Sequence, residues 1–264
     1  MLISKPSVCF DMPGNPTYQE ALKRIEKEYR RCYMSESKGN DPEEFIKNKI
    51  KMGHESVLEH ISFGIEFKMD RGISIEIVRH RHISPSQSST RYCNYSKDKF
   101  GNEIEVIRPF FFNPSDSVVS VVNVPKFISD NIGNINLEKS KDSYILNKFD
   151  VWFMACQFAE WSYMTLLNMG AKPEEARSVL PNSLATSIGI TANLREWRHI
   201  LKLRYLGTTG KPHPQMREIM HPVFHFFKNE YPCFFFDLDC DPEPKSDSYL
   251  VETIVYDKEE NNEE

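Results

Sequence analysis

Residues 76–92 read E-I-V-R-H-R-H-I-S-P-S-Q-S-S-T-R-Y, and the assignment of fold and function starts from this stretch. It combines three arginines, two histidines and a run of serine and threonine side chains, and its only acidic residue is Glu76. A charge run is usually a solvated face, but short hydroxyl side chains and Pro85 add nothing to such a face. Because guanidinium forks and hydroxyl donors together suit a phosphate, the stretch predicts an anion site.

Composition narrows the class of protein around that site. The chain has 264 residues, 40% hydrophobic and 27% charged, which is typical of a soluble globular protein with a real core. Six cysteines without paired spacing predict reduced thiols in the cytoplasm, with neither zinc nor disulfides. Neither a signal peptide nor a membrane span is expected. A net charge of −5 argues against a nucleic-acid partner, so the expected ligand is a small anion.

Several secondary-structure elements can be placed from periodicity and end signals. An amphipathic helix is predicted over 17–34, and a second one begins at Asp41-Pro42 and ends at Gly53. Strict alternation over 61–69 predicts a half-buried strand. An apolar stripe predicts a helix over 143–169 that ends at Gly170 and serves packing. The stripe consists of Ile145, Phe149, Trp152, Cys156, Ala159, Tyr163 and Leu166.

Two shorter helices carry polar residues. Pro173 begins one that contains Arg177, and Asn193 caps the other with Glu196 three residues later. Arg195 and His199 lie four residues apart and therefore share a face, with Arg204 further along. The segment 96–142 is rich in turn residues and is predicted to be a surface connection. The acidic end, 241–264, is predicted to be disordered.

Other interpretations of the polar clusters remain open from the residues alone. The histidines and glutamates of 54–60 suggest a metal, but H-E-x-x-H would need histidine where Leu58 stands. A hydrolase with Ser89 as nucleophile and His80 or His82 as base lacks a G-x-S-x-G elbow. A non-enzymatic nucleotide- or RNA-binding module could also use the Arg/His/Ser patch, with a steep salt dependence.

Four segments together resemble one enzyme family. Arg79-His80-Arg81, seven residues and then Ser89 resembles the RHR-x7-S signature of the flavin-dependent thymidylate synthases, and Thr90-Arg91-Tyr92 continues it. Residues 53–60 resemble the family's G-H-x-S-V-L-E-H stretch, and Arg177 lies in an A-R-x-V-L-P element. Residues 193–204 resemble its N-x-R…R ligand-binding segment. Residues 213–215, His-Pro-Gln, depart from the family's His-Ala-Asp pattern.

The resemblance implies an α+β fold with an antiparallel sheet packed by helices, one domain over 1–240 with a variable insertion at about 96–142, and a homotetramer with shared active sites. It also implies a helix before Arg79, whereas the alternation of 73–77 alone suggests a strand. The implied reaction converts dUMP to dTMP with methylene-tetrahydrofolate, NADPH and FAD, and no metal.

The resemblance also implies roles for individual residues. The residues implied to bind FAD are His54, Ser56, Arg79, His80, Arg81, Gln87, Asn193, Arg195 and His199. Those implied to bind dUMP are Glu76, Arg79, Gln87, Ser88, Ser89, Thr90, Arg91, Arg177 and Arg204. Ser89 and Arg91 are expected at the phosphate. Arg204 is the implied catalytic residue, set against the N3/O2 edge of uracil, where a fixed guanidinium favours negative charge.

Overall fold

A computed structural model describes residues 1–36, 39, 41–116, 120–122, 139–140, 143–240 and 248–254. Its contacts divide the chain into two compact units. The first unit comprises Met1–Lys5, Asp70–Gly72 and Ser88–Thr186, and the second comprises Pro6–Met69, Ile73–Gln87 and Ser187–Glu264. The single domain expected over 1–240 stays a prediction.

Helices and strands both occur along the whole described chain. The strands are β1 (Leu2–Ser4), β2 (Ser7–Cys9), β3 (Ser62–Asp70), β4 (Ile83–Gln87), β5 (Glu105–Ile107), β6 (Ser120–Val122), β7 (Lys139–Ser140), β8 (Ser143–Leu146), β9 (Ala185–Asn193) and β10 (Glu252–Ile254). The α-helices are α1 (Tyr18–Cys32), α2 (Pro42–Lys51), α3 (Arg71–Ile77), α4 (Lys148–Asn168), α5 (Pro173–Ala176), α6 (Leu194–Leu201), α7 (Pro214–Glu230) and α8 (Pro232–Phe235).

The second unit contains a five-stranded sheet with the strand order β10-β2-β3-β9-β4. The sheet is mixed, so the prediction of an antiparallel sheet is wrong in one respect. The β2–β3 and β4–β9 pairs are antiparallel, but β10 runs parallel to β2, with Thr253 opposite Val8. Pro85 lies in β4, at the edge of the sheet, where its missing N–H costs no ladder hydrogen bond.

Helices cover the apolar face of this sheet. The predicted alternation in β3 is confirmed, because Phe63, Ile65 and Phe67 are buried. They join a core that includes Trp197 of α6 and Phe227 of α7. The Trp197 Nε1–H donates to the carbonyl of Phe63 at 2.9 Å, which ties α6 to β3.

The helix implied before the RHR motif is confirmed, and the local alternation that suggested a strand is misleading. In α3 the residues Ile73 and Ile77, four apart, are both buried, while Ile75 between them is exposed. One buried face at helical spacing therefore decides the conformation, because tertiary burial overrides a five-residue β pattern.

The first unit contains the long helix α4. The prediction that 143–169 is helical is wrong for residues 143–146, which form β8. The Asn147 side chain caps α4 by accepting from the backbone N–H of Asp150 at 3.0 Å, and the helix ends before Gly170 as predicted. Trp152, Cys156 and Tyr163 of the stripe are buried, which confirms a packing role.

Two predictions about connections need correction. Residues 104–107 do not belong to a surface excursion, because Ile104 and Val106 are buried in the core of the first unit and β5 pairs with β1. Residues 252–254 are not disordered, because β10 pairs with an open edge of β2 and the backbone N–H of Glu252 bonds Pro6. Of the predicted tail, residues 241–247 and 255–264 lie outside the described residues, and residues 248–251 lead into β10.

Across the described part of the chain, no helix combines the length and the apolar character that a membrane crossing requires.

Candidate functional site

Arg204 lies in a π-helical turn, Lys202–Leu206, that directly follows α6. Such a turn changes the direction of the side chains that follow it, and π-turns inside helices often occur at functional sites. Gly207 ends the turn with φ +75°, and a Cβ there would lie 2.9 Å from the carbonyl oxygen of Gly210. The backbone therefore requires glycine immediately after the segment that carries Arg204.

Three acceptors hold the Arg204 guanidinium. Its Nη1 donates to the Glu76 carboxylate at 3.0 Å, its Nη2 donates to the Glu76 carbonyl at 3.0 Å, and its Nε donates to His80 Nε2 at 3.1 Å. The side chain is still 25% exposed. A guanidinium fixed in this way can present its remaining N–H groups to a ligand without having to reorganise.

His80 is a neutral imidazole with a defined tautomer. Arg204 Nε–H has no lone pair to offer, so His80 Nε2 must accept and the ring proton must reside on Nδ1. Nδ1 lies 3.1 Å from the Glu196 carboxylate, which accepts that proton's hydrogen bond. Burial lowers the pKa of His80 and the Arg204 charge acts in the same direction, although the hydrogen bond to Glu196 opposes them.

His199 lies beside this pair. Its ring is 5.7 Å from that of His80, and His80, Glu196 and His199 each place a ligand atom within 4.8 Å of the others. The group resembles a metal-ligand set, but both nitrogens of His80 are already engaged. The Arg204 guanidinium bonded to Nε2 would also repel a cation. The geometry therefore favours a site for an anion, and the absence of a metal stays a prediction.

Two cavities border this network. One, of about 330 Å³, is lined by Arg79, His80, Arg81, His82, Glu196, His199, Leu203 and Arg204. Arg79 and Arg81 are exposed, and neither forms an ion pair with any residue that the structure describes. Two cations without carboxylate partners beside the held Arg204 make this cavity electropositive, as a phosphate or pyrophosphate requires.

The second cavity, of about 470 Å³, shares His82, Glu196 and His199 with the first and adds Glu55, Glu59, Asn193, Arg195 and Lys202. The two glutamates that it adds are already paired. Glu55 lies 2.9 Å from the buried Arg198 and 3.5 Å from Lys202, and Glu59 pairs with Arg195. Glu55 and Glu59 are therefore neutralised from within the protein, and the N–H donors of Asn193 and His199 can meet a ligand.

Asn193 also has a structural task. Its side-chain oxygen accepts from the Glu196 backbone N–H at 2.8 Å and so caps α6, which confirms the predicted cap. The reciprocal half of the expected capping box is absent, because the Glu196 carboxylate bonds His80 instead. This use of Glu196 was missed from sequence. A glutamate at the third position of a capped helix has an obvious local role, so nothing in the sequence pointed to His80, 116 residues away.

Three predicted cofactor-binding residues lie outside the linings of both cavities. His54 is exposed, and its Nδ1 lies 2.9 Å from the hydroxyl of Tyr33. Ser56 begins the 3₁₀ helix Ser56–His60, and Gln87, at the end of β4, donates to the Ser74 hydroxyl at 2.8 Å. In contrast Glu55, Glu59, Lys202 and His82 line the cavities but were not predicted as site residues.

The remaining predicted nucleotide-binding residues belong to the first unit. Arg177 Nη1 lies 3.5 Å from the Thr90 hydroxyl, Ser88 Oγ lies 3.0 Å from Thr186 Oγ1, and Arg91 Nε donates to Glu174 at 2.8 Å. The Ser89 hydroxyl accepts from the backbone N–H of Arg91 at 3.3 Å, and the next residues form a turn. Hydroxyl and guanidinium groups thus converge in this unit too.

Fold and side chains together define an α+β protein with a candidate anion site built around a fixed arginine. The chain belongs to the family described as thymidylate synthase complementing protein (Thy1), which matches residues 16–233.

Relatives agree with this family assignment, and a solved structure shares the fold. The flavin-dependent thymidylate synthase of Mycolicibacterium gilvum is 30% identical over 180 residues, which are 66% of this chain and 64% of that protein. The chain thus spans just under two thirds of that relative's length. The Corynebacterium aurimucosum flavin-dependent thymidylate synthase is 26% identical over 87% of this chain and 84% of its own. A crystal structure of the UMP/dUMP methylase PolB from Streptomyces cacaoi, bound with 5-Br dUMP, has the same fold, with a TM-score of 0.63, 15% identity, and coverage of 89% of this chain and 97% of that one.

Proposed function

We propose that this protein is a flavin-dependent thymidylate synthase that methylates dUMP to dTMP. Methylene-tetrahydrofolate donates the carbon, and NADPH supplies the two electrons that reduce the transferred methylene to a methyl group. Tetrahydrofolate therefore leaves unoxidised, with NADP. The observation that carries the proposal is the Arg204 guanidinium, held by Glu76 and by neutral His80. Beside it lie Arg79 and Arg81, which form no ion pair among the described residues. Family membership and the relatives' names support the choice of reaction.

The residues around the cavities fit FAD. A flavin dinucleotide carries a pyrophosphate and a heteroaromatic ring with acceptor oxygens and nitrogens. Arg79 and Arg81 supply positive charge without carboxylate partners among the described residues, and Arg195, Asn193 and His199 supply N–H donors nearby. We assign these residues, with His80, His54, Ser56 and Gln87, to cofactor binding. FAD would supply the hydride chemistry that side chains cannot provide.

Nucleotide binding is assigned to residues with complementary donors. Ser88, Ser89, Thr90, Arg91 and Arg177 hold dUMP, with Ser89 and Arg91 at its phosphate, while Glu76, Arg79 and Gln87 also contact the nucleotide. A dianionic phosphate is bound best by guanidinium forks together with hydroxyl donors. In this scheme Ser89 donates a hydrogen bond and never attacks, because hydride transfer to the pyrimidine needs no protein nucleophile.

Arg204 is assigned the catalytic role. Its guanidinium lies against the N3/O2 edge of the uracil and stabilises negative charge that develops on the ring. Because its Nε and both Nη groups are already anchored to His80 and Glu76, the guanidinium needs little reorganisation as negative charge develops on the ring.

The proposal extends to assembly and location. We propose a cytoplasmic homotetramer in which each active site takes residues from more than one subunit, and one catalytic domain over 1–240. Its partners would be dUMP, folate and other copies of the chain, with no nucleic acid and no membrane. A molar mass near four times 30.9 kDa in solution, measured by light scattering, is the expected result.

A spectrum and a product assay test the activity. The purified protein should be yellow with flavin absorption bands, and it should form dTMP only when dUMP, methylene-tetrahydrofolate and NADPH are all present. The Arg81→Ala variant should retain less FAD per subunit than wild type, with an unchanged unfolding temperature. A colourless protein that binds dUMP with a steep salt dependence and makes no dTMP would instead establish the binding-module alternative.

A further inference from the structure

Glu196 is the least exposed acidic group at the site and has no role in the function proposed above. Its side chain is 8% exposed, and its carboxylate contacts His80 Nδ1. His80 in turn contacts Arg204 through its other nitrogen. Glu196, His80 and Arg204 therefore form a chain of hydrogen bonds that runs from a buried carboxylate to the proposed catalytic guanidinium.

We infer that Glu196 is a positioning residue: by accepting a hydrogen bond from the His80 Nδ1–H, it keeps Nε2 as an acceptor for Arg204 and so helps to fix the orientation of that guanidinium. This inference rests on the proposed function for its catalytic consequence. The physical basis is tautomer selection, since a carboxylate can only accept and therefore admits only the Nδ1–H form of the ring. The opposite tautomer would point an N–H at the Nε–H of Arg204 and lose that bond.

The charges around His80 support the neutral form that this role requires. Glu196 and His199 face it from α6 and Arg204 faces it from the π-helical turn, while Arg79, Arg81 and His82 flank it in its own segment. The carboxylates of Glu196, at His80, and of Glu76, at Arg204, thus stand against three arginines. Burial adds to their effect and lowers the pKa of His80. A protonated ring would have no acceptor for Arg204, so acid should remove one of the three hydrogen bonds that hold the guanidinium and loosen its orientation.

The Glu196→Gln substitution tests this role, because glutamine nearly matches the shape of glutamate but can also donate. When the glutamine amide N–H points at His80 Nδ1, Nδ1 must accept and the ring proton moves to Nε2. Arg204 then loses its acceptor on His80. We expect turnover at saturating dUMP to fall by about 10-fold to 10²-fold, as small displacements of a catalytic group typically cause. FAD content should stay unchanged. The matched control is Glu28→Gln, which also neutralises a buried glutamate but lies in α1, paired with Arg24 and Arg31.

Repeating the Glu196→Gln substitution in a His80→Gln variant distinguishes a positioning role from a general structural effect. In His80→Gln the glutamine oxygen can accept from Arg204 without help from Glu196. We expect Glu196→Gln to have no further effect in that background, because the two substitutions act on one chain of hydrogen bonds. The measurements are turnover, the dissociation constant for dUMP and the urea midpoint of unfolding, each between pH 5 and 8. Wild-type dUMP binding should weaken toward pH 5 more steeply than dUMP binding to His80→Gln, in which the dUMP phosphate, with a second pKa of about 6, still titrates.

Each possible result either supports or overturns the positioning role of Glu196. Turnover and dUMP affinity within twofold of wild type in Glu196→Gln overturn the inference, and so do equal losses in the wild-type and His80→Gln backgrounds. If the wild-type enzyme forms no dTMP, the proposed function fails. The urea midpoints of unfolding then decide by themselves whether Glu196 acts through His80. A loss from Glu196→Gln that disappears in the His80→Gln background then supports the hydrogen-bond chain, and an equal loss in both backgrounds overturns it.

Discussion

At the scale of single residues, Arg204 is held by groups from two separate parts of the sequence. Glu76 and His80 come from the stretch that precedes β4, and Arg204 follows α6 more than 120 residues later. Its three anchoring bonds use both edges of the guanidinium. Lysine offers a single ammonium at the end of a flexible stem and cannot reproduce this arrangement.

The Arg204→Lys enzyme is therefore expected to lose about 10² to 10³ in the rate of the chemical step, as the removal of one preorganised donor typically does. The measurement is dTMP formation in a single turnover at saturating dUMP, with dUMP affinity determined separately by calorimetry. Arg24→Lys, a matched change on the exposed face of α1, should leave both values unaltered. An unchanged rate with weakened dUMP binding would reduce Arg204 to a nucleotide-binding residue.

Arg91 already has an internal anion as its partner. Its Nε lies 2.8 Å from the Glu174 carboxylate, and both side chains are exposed. If Arg91 binds the phosphate of dUMP, this carboxylate competes with the ligand. Glu174→Gln should then strengthen dUMP binding by about twofold to fivefold, because exposed pairs contribute about 0.2–1 kcal/mol.

Titration calorimetry at low and high salt measures the effect of Glu174→Gln, which should shrink as salt screens the pair. Glu175→Gln is the control, since it removes the same charge one residue away and glutamine can still accept from the Lys172 backbone N–H. Equal gains in both variants would point to the general field and not to Arg91.

At the scale of elements, the start of α6 determines where the site residues lie. Asn193 ends β9 and caps α6, and from that point Arg195 and His199 follow at helical spacing until the π-helical turn presents Arg204. One capping side chain thus links the sheet to every functional residue of the segment. Losing it should disturb function as well as stability.

We expect Asn193→Ala to lower the free energy of unfolding by about 1 kcal/mol, the usual cost of a lost cap, and also to reduce FAD content per subunit. Thr17→Ala provides the comparison, because Thr17 caps α1 in the same unit and lines neither of the two cavities beside Arg204. It should cost similar stability in urea titrations but retain the flavin. Equal flavin loss in the two variants would mean that stability alone controls FAD retention.

At the scale of the whole molecule, a buried arginine joins distant parts of the second unit. Arg198 is fully buried and bonds Asp237 with both Nη groups, at 2.7 and 2.8 Å, Glu55 at 2.9 Å, and the carbonyl of Phe234. Burial by itself would raise the pKa values of Glu55 and Asp237, but the hydrogen bonds and charge of Arg198 outweigh it and lower both.

These lowered pKa values predict how stability depends on pH. A carboxyl group whose pKa falls on folding stabilises the protein above its unfolded pKa, which is about 4. That contribution is lost as the pH drops through the lower folded value. The free energy of unfolding should therefore decrease below about pH 5.

Asp237→Asn should reduce this slope and cost at most about 3 kcal/mol at neutral pH, since the site is partly open to solvent. Urea titrations at several pH values give both quantities. Asp239→Asn, an exposed neighbour paired with Lys228, should leave the slope unchanged. A wild-type slope preserved in Asp237→Asn would contradict the assignment.

Much of the architecture follows from local sequence. The alternation of β3, the caps at Asp41 and Asn193, the stops at Gly53 and Gly170 and the buried stripe of α4 each result from interactions within a few residues, so periodicity and end signals predict them. The anion site at the RHR stretch was likewise predicted from its residue types, whereas the role of Arg204 was implied by the resemblance to the family.

Tertiary structure decided the rest, because the deciding contacts join residues far apart in the chain. Ile73–Ile77 form a helix since the core accepts only one face, and residues 252–254 form a strand since β2 offers an open edge. The Glu196 carboxylate bonds His80 and does not complete the local capping box. Arg198 is buried and bonds Asp237, although its neighbours Arg195 and Arg204 are predicted to bind ligands. A buried charge or a ring nitrogen must bond to whatever the fold brings near it, and local sequence does not specify that partner.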